Sequence, residues 1–208
     1  MTRRITIIQG HPDPAGGHLC HALAEAYAAG AVEAGHELRR VVVAGLEFPL
    51  LRTQADFETG TPPAEIRTAQ ETIAWAQHLV IVYPLWLGAM PALLKGFLEQ
   101  TFRPGFAFES GASGLGARRL KGRSARIVVT MGMPALAYRW YFGAHSLKSL
   151  ERNILGFCGI GPIRESLLGM VEAADERRRQ RWLATLRAHG RRARWRRQST
   201  SAAAAARS

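Results

Sequence analysis

Short, nearly unbroken apolar runs recur along the chain, and between them apolar residues return every three or four positions. Ile5 to Gln9 is the first run and predicts a strand covered on both faces. Gly16 to Gly30 then sets Leu19, Ala22, Leu23, Ala26, Tyr27 and Gly30 on one stripe of a helix. Leu38 to Ala44 reads as a second strand, Leu79 to Tyr83 as a third and Ile127 to Met131 as a fourth, and a fifth lies within Pro162 to Met170. Pro62 and Pro63 open another helix, at the position where a missing amide is tolerated. Pro91 to Phe102, Ala144 to Phe157 and Ala174 to Ala188 carry the remaining helical periods, the second with Leu147, Leu150, Ile154 and Leu155 inward. Leu46 to Gly60 is irregular, and Gly105 to Lys121 reads as a long glycine-rich connection.

Strands alternating with helices predict an α/β fold: a five-stranded parallel sheet with helices on both faces, a three-layer sandwich. Right-handed crossovers leave few arrangements, and the flavodoxin-like strand order 2-1-3-4-5 is the one adopted here. It puts the switch point between the first and third strands, so the loops after Ile8 and Val82 become neighbours.

A chain of 208 residues, 47% apolar and 21% charged, suits one soluble domain. No apolar run approaches membrane-spanning length, and the start MTRRITIIQG lacks the long apolar region of a secretion signal. Cys20 and Cys158 match no metal spacing, and a reduced, cytoplasmic setting is expected. The net charge of +12 suggests nucleic acid until it is divided. Eleven arginines and no acidic residue follow Glu176, which leaves residues 1–176 at about +1. The body has no basic patch to extend a nucleic-acid footprint. Residues 1–190 are expected to form the domain. Residues 191–208 are expected to be a disordered tail, basic and then alanine-rich, a solvated extension or a cationic surface for an anionic partner.

Three loops at strand ends carry candidate chemistry. In GHPDPAGGHLCHAL, Gly16 and Gly17 run straight into a helix, whose first amides bind anions when glycine lets a phosphate approach. His11 and His18 can add donors, and the plain alternative is an ordinary turn before a helix. The motif is neither a Walker loop nor a G-x-G-x-x-G fingerprint. In YPLWLGAMP, Leu85, Trp86 and Leu87 form a large apolar surface beside Gly88 and Ala89, suited to a planar aromatic cofactor; otherwise one or both of Trp86 and Leu87 belong to the core. In VVTMGMPALAYRWYFGAH, Thr130, Met131 and Gly132 precede Tyr138, Trp140, Tyr141, Phe142 and His145. A Tyr and a His this close can donate hydrogen bonds to developing negative charge, or the aromatics can simply close a hydrophobic lip.

The first loop, PLWLGAMPALLKGFLEQTFRPGFAF and NILGFCGIGPI together resemble the NAD(P)H:quinone oxidoreductase family, a flavodoxin-like branch that includes bacterial modulators of drug activity and general stress proteins. The likeness covers roughly Ile5 to Ala188. It implies a flavin held without a covalent bond, FAD or FMN with FAD slightly favoured, and NAD(P)H as co-substrate. It further implies ping-pong, two-electron hydride transfer to a quinone or similar electrophile. The resemblance places flavin contacts at His11, at Gly17, His18, Leu19 and Cys20, at Pro84, Leu85, Trp86 and Leu87, and at Thr130, Met131 and Gly132. The small hydroxyl residues and Asn usual in the phosphate loop are absent here, which shifts the burden to backbone amides. The catalytic pair maps to Tyr138 and His145, with Tyr141 competing for the tyrosine's role. Such enzymes commonly work as homodimers, for which Tyr138 to Phe142 is the candidate contact. Other members imply an alternative: an ancillary regulatory subunit of a membrane potassium-efflux transporter, its arginine-rich end facing a membrane or an acidic surface. An electron-carrier flavodoxin fits less well, because a carrier needs no Tyr/His pocket.

Overall fold

The computed structural model describes residues 2–109 and 117–193. The expected disorder of the tail from residue 194 onward, and the centre of the Gly105 to Lys121 connection, lie outside the described residues.

Five parallel strands, β1 (Arg4–Gln9), β2 (Glu37–Val42), β3 (His78–Pro84), β4 (Ser124–Thr130) and β5 (Ile163–Leu168), form one sheet in the order β2-β1-β3-β4-β5. All seven residues of β3 are buried, as a central parallel strand requires. Alternate side chains feed two cores. Ile5, Ile7, Val80 and Val82 face the layer containing Leu23, Tyr27 and Leu186. Ile8, Leu79, Ile81 and Tyr83 face the layer containing Ile66, Leu94, Phe97 and Leu150. Helices α1 (Leu19–Glu33) and α7 (Glu176–Arg192) form the first layer, and α3 (Ala64–Trp75) and α4 (Ala92–Thr101) belong to the second.

Four details depart from expectation. Within Leu46 to Gly60 lies a short helix, α2 (Gln54–Glu58). Thr53 Oγ1 accepts the Asp56 amide at 3.0 Å and Asp56 Oδ2 accepts the Thr53 amide at 3.1 Å, a capping box that apolar periodicity cannot reveal. The stripe of α1 is rotated: Cys20, Leu23, Ala24, Tyr27, Ala28 and Ala31 are buried and Ala22 is exposed. The helix expected from Ala144 to Phe157 is preceded by α5 (Ala135–Trp140) and runs as α6 (His145–Lys148) into a π-helix, Ser149–Gly156. Leu150 and Leu155, five residues apart, are both fully buried, in keeping with i→i+5 hydrogen bonding. Helix α7 extends to Arg192, so Arg191 and Arg192 belong to the helix, and Arg187 and Arg191 pair with Glu33 of α1. Among the described residues no helix is long and apolar enough to cross a membrane.

Candidate functional site

The sheet order reverses between β1 and β3, opening a crevice at their carboxyl ends. The loop after β1 is braced from within. Gln9 Nε2 donates to the Cys20 carbonyl at 3.1 Å, Gln9 Oε1 accepts the His11 amide at 3.2 Å, and His11 Nδ1 accepts the Asp13 amide at 3.1 Å. His18 Nε2 lies 2.7 Å from Asp13 Oδ2, and the His11 and His18 rings stack with centroids 4.0 Å apart. His21 joins them at 5.1 Å from His11 and 5.7 Å from His18. The hydrogen bond from His18, followed by the Ala15 amide, holds the Asp13 carboxyl below its ordinary range. Burial, then the charges of His18 and His21, hold His11 below the usual imidazole value. Gln9, Asp13 and His21 were not among the expected site residues. The spacing of Asp13, two residues after His11 and five before His18, is the sequence signal that could have marked it.

Gly16 and Gly17 adopt φ of +79° and +78°, a conformation that disfavours side chains, and a Cβ on either would meet nothing within 4 Å. Just beyond them α1 starts at an extended His18 with no side-chain cap and no acid in its first turn. The start of α1 thus has neither a side-chain acceptor capping its first amides nor an internal carboxylate in its first turn. The Cys20 side chain points inward. It is buried with Sγ 3.1 Å from Thr130 Oγ1, and burial pushes its thiol up to about 11.

After β3 the chain makes a tight hairpin. Trp86 and Ala89 exchange both backbone hydrogen bonds at 2.9 Å, with Leu87 and Gly88 at φ of +48° and +76° between them. Leu87 is fully exposed and Trp86 half exposed, so neither is core. Pro84 is buried at the end of β3, Leu85 is half-buried, and the Leu85 amide donates to the Thr130 carbonyl at 2.8 Å. The Trp86 ring stands edge-on to His11 at 6.1 Å, linking the first and second loops.

The third loop contributes mostly backbone. Thr130 and Met131 are buried and Gly132 is exposed. Tyr138 is 1% exposed, its hydroxyl 2.8 Å from Ser146 Oγ and accepting the Leu147 amide at 3.3 Å. It pins α5 to α6. Tyr141 and His145 are exposed, and the His145 ring packs against Gly143, where a Cβ would lie 2.8 Å from Nε2. Among the described residues no three His, Cys, Asp or Glu side chains are grouped to hold a metal ion.

A phosphate-bearing planar group fits these residues: an uncapped helix start behind two open glycines, beside an exposed apolar hairpin. Residues 3–189 match the model of the family described as having a flavodoxin-like fold, and the chain belongs to that family. It is similar to an "uncharacterized NAD(P)H oxidoreductase" of Haemophilus influenzae, 29% identical over 122 residues, 58% of this chain and 60% of that protein. It is also similar to the glutathione-regulated potassium-efflux system ancillary protein KefG of Salmonella newport, 38% identical over 90 residues, 42% of this chain and 46% of KefG. The chain thus spans 60% or less of the length of these curated relatives. Two solved structures share its fold. NAD(P)H:quinone oxidoreductase from Methanothermobacter marburgensis has a TM-score of 0.79 at 22% identity, covering 95% of this chain and 100% of that one. The FMN-dependent NADH-azoreductase of Bacillus anthracis, solved with FMN, has a TM-score of 0.71 at 18% identity, covering 92% and 99%.

Proposed function

We propose that this chain is a flavin-dependent NAD(P)H oxidoreductase that delivers hydride to a quinone or similar electrophile, the two reactants using one site in turn. The observation that carries this reading is the meeting, across the β1/β3 crevice, of the open glycine-backed start of α1 and the exposed Trp86–Ala89 hairpin. The relatives named for NAD(P)H oxidation and quinone reduction support it. FMN is the flavin favoured, because the azoreductase neighbour is FMN-dependent; the expected slight preference for FAD finds no support among the described residues.

In this reading the His18, Leu19 and Cys20 amides hold the phosphate, with His11 and His18 lending ring donors beside Gly17. Trp86 and Leu87 cover the flavin ring and exclude water, next to Pro84, Leu85 and the exposed backbone at Gly132. A bound flavin would supply the hydride-accepting and hydride-donating chemistry. Tyr141 and His145, the exposed pair, are assigned the proton-donating hydrogen bonds at the substrate face. Tyr138, expected as the catalytic tyrosine, is assigned a positioning role through Ser146 and Leu147. Thr130 and Met131 support the loop from the core. A cytoplasmic homodimer is part of this reading, with α5 as its contact.

The test is a visible spectrum of the purified protein with added flavin, then mass identification of the flavin released. A flavin spectrum is expected, with Tyr141→Phe plus His145→Gln lowering quinone turnover about a hundredfold while flavin stays bound. Colourless protein that binds no added flavin overturns the proposal, and unchanged turnover in the double variant removes the pair from it. A second reading, an ancillary subunit of a potassium-efflux transporter, is favoured by the likeness to KefG. Co-purification with such a transporter, independent of flavin reduction, is its signature.

A further inference from the structure

The histidines of the first loop form a single cluster. The ring centroids of His11, His18 and His21 lie 4.0, 5.1 and 5.7 Å apart, and between Gly10 and His21 the sequence offers one carboxylate, Asp13. The charged groups of the neighbouring elements add little to this balance. Glu25, further along α1, feels His21 but is already paired with Arg40 of β2. The Cys20 thiol, pushed up to about 11 by burial, stays neutral. The hairpin after β3 contributes the uncharged Trp86 ring, edge-on to His11 at 6.1 Å.

The three rings differ in what they can do. His11 Nδ1 accepts the Asp13 amide at 3.1 Å, which uses the lone pair a proton would need, so His11 is a neutral ring with its donor at Nε2. Burial, then the charges of His18 and His21, disfavour its charged form in the same sense. His18 places Nε2 2.7 Å from Asp13 Oδ2, and its Nδ1 enters no described hydrogen bond. A carboxylate on one imidazole nitrogen fixes the ring and makes the other nitrogen more basic. His21 Nδ1 is buried and lacks a hydrogen-bonding partner among the described residues. Buried polar atoms are nearly always paired, so an orphan inside this cluster points to a further group. Charging His18 and His21 together, with one carboxylate nearby, is opposed by their repulsion. A dianion beside them reverses that balance.

We propose that His18 and His21 make this loop a clamp for a doubly charged phosphate monoester that takes up a proton as the ester binds, with His11 as a fixed donor and Asp13 positioning His18. A phosphate monoester, the group that ends FMN, carries close to two negative charges at neutral pH, its second pKa being about 6. Each phosphate in the diphosphate link of FAD carries one. The clamp therefore favours FMN over FAD, and more so as the imidazoles charge. The identity of the ligand rests on the flavin reading above, whereas the phosphate chemistry does not. Because binding takes up a proton, affinity falls as pH rises past the imidazole range. Backbone amides alone would give the opposite trend, since the ligand gains its second charge as pH rises through about 6.

The test is calorimetric titration of the flavin-free protein with FMN, FAD, riboflavin and inorganic phosphate from pH 6.5 to 8.5, in buffers of different ionisation heat. The FMN dissociation constant should rise about tenfold over this range and that of riboflavin by less than about twofold. Proton uptake should accompany FMN and not riboflavin. His18→Ser, at an exposed position, should remove most of the slope and cut the preference for FMN over FAD at pH 6.5 about tenfold. Asp13→Asn should flatten the slope although every ring remains, which a merely structural carboxylate would not do. An FMN affinity that is level or rises with pH overturns the clamp and leaves the flavin reading standing. So does an equal slope for riboflavin or FAD, or one retained when His18→Ser is combined with His21→Gln. Phosphate binding that weakens with pH and is lost in His18→Ser, in a protein that takes up no flavin, upholds the clamp and removes the flavin. Binding of neither flavin nor phosphate overturns both.

Discussion

His78 is a core histidine whose protonation state should register directly in stability. It opens β3, is buried, and holds Nδ1 2.8 Å from Ser124 Oγ with the Tyr27 ring stacked at 6.3 Å. Burial above all, then the positive charges of Arg126, Arg3 and His36, bring its pKa to about 3 from an unfolded value of 6.5. The native state therefore keeps His78 neutral where the unfolded chain takes up a proton. No stability is lost to it above pH 6.5, and stability falls as pH drops from 6.5 toward 3. The loss at pH 4 is on the order of 3 kcal/mol. Urea unfolding from pH 8 to 4 in phosphate-free buffer checks this. His78→Asn should flatten the slope between pH 6.5 and 4 relative to the parent, whatever its stability at pH 8. Parallel curves would show that other groups govern acid unfolding. The depressed carboxyls of Asp13, Glu25, Glu33 and Asp56 act in the same sense at lower pH, so only the difference between the two proteins reports on His78.

Between elements, the tightest glycine positions among the described residues lie at the crossing of α1 and α7. A Cβ on Gly30 would run into the Arg187 carbonyl, and one on Gly190 into the Tyr27 carbonyl. Backbone cannot yield there as a side chain would. Gly190→Ala should therefore cost about 1–3 kcal/mol despite the better helix propensity of alanine. Gly45→Ala is the control, since a Cβ there meets nothing within 4 Å, and it should change stability by no more than about 1 kcal/mol. Equal denaturation midpoints for the two variants would contradict the crossing. The strands, by contrast, could be read directly from the sequence, because a parallel strand buried on both faces leaves an unbroken apolar run, as Leu79 to Tyr83 does. The two glycines of the first loop and the greasy turn after β3 were readable for the same reason: each breaks a local rule in plain view. Tyr138 was not. Its residue type suits a proton donor, and only the turn at Gly143 and Ala144, with φ of +64° and +47°, brings Ser146 back to its hydroxyl. Helix α2 escaped because five residues span too little for periodicity.

The two edges of the sheet differ in character. The amino-terminal edge is cationic, while the carboxyl edge exposes large apolar side chains: Trp140 and Tyr141 at 79% and 84%, with Leu136, Phe142, Trp86 and Leu87 also open. Leu136 and Trp140 stand four apart on α5 and so share a face, and the Tyr141 and Phe142 rings meet edge-on at 4.9 Å. Apolar surface concentrated in one place usually marks an interaction site. The chain's body carries almost no net charge to oppose self-association, since the excess arginines lie in α7 and beyond. A second copy packed through α5 would cover this face and shelter Tyr141 and His145 from bulk water. On this reasoning a dimer is expected at micromolar concentration, and Trp140→Glu plus Leu136→Glu, which would place two carboxylates in the contact, should give monomers by sedimentation or light scattering. The flavin should then be held at least about tenfold more weakly, because its outer face loses the partner's cover. Both readouts are needed. Monomeric parent protein would remove the homodimer, whereas a monomeric variant that binds flavin as tightly as the parent would keep the dimer and show each site to be complete within one chain.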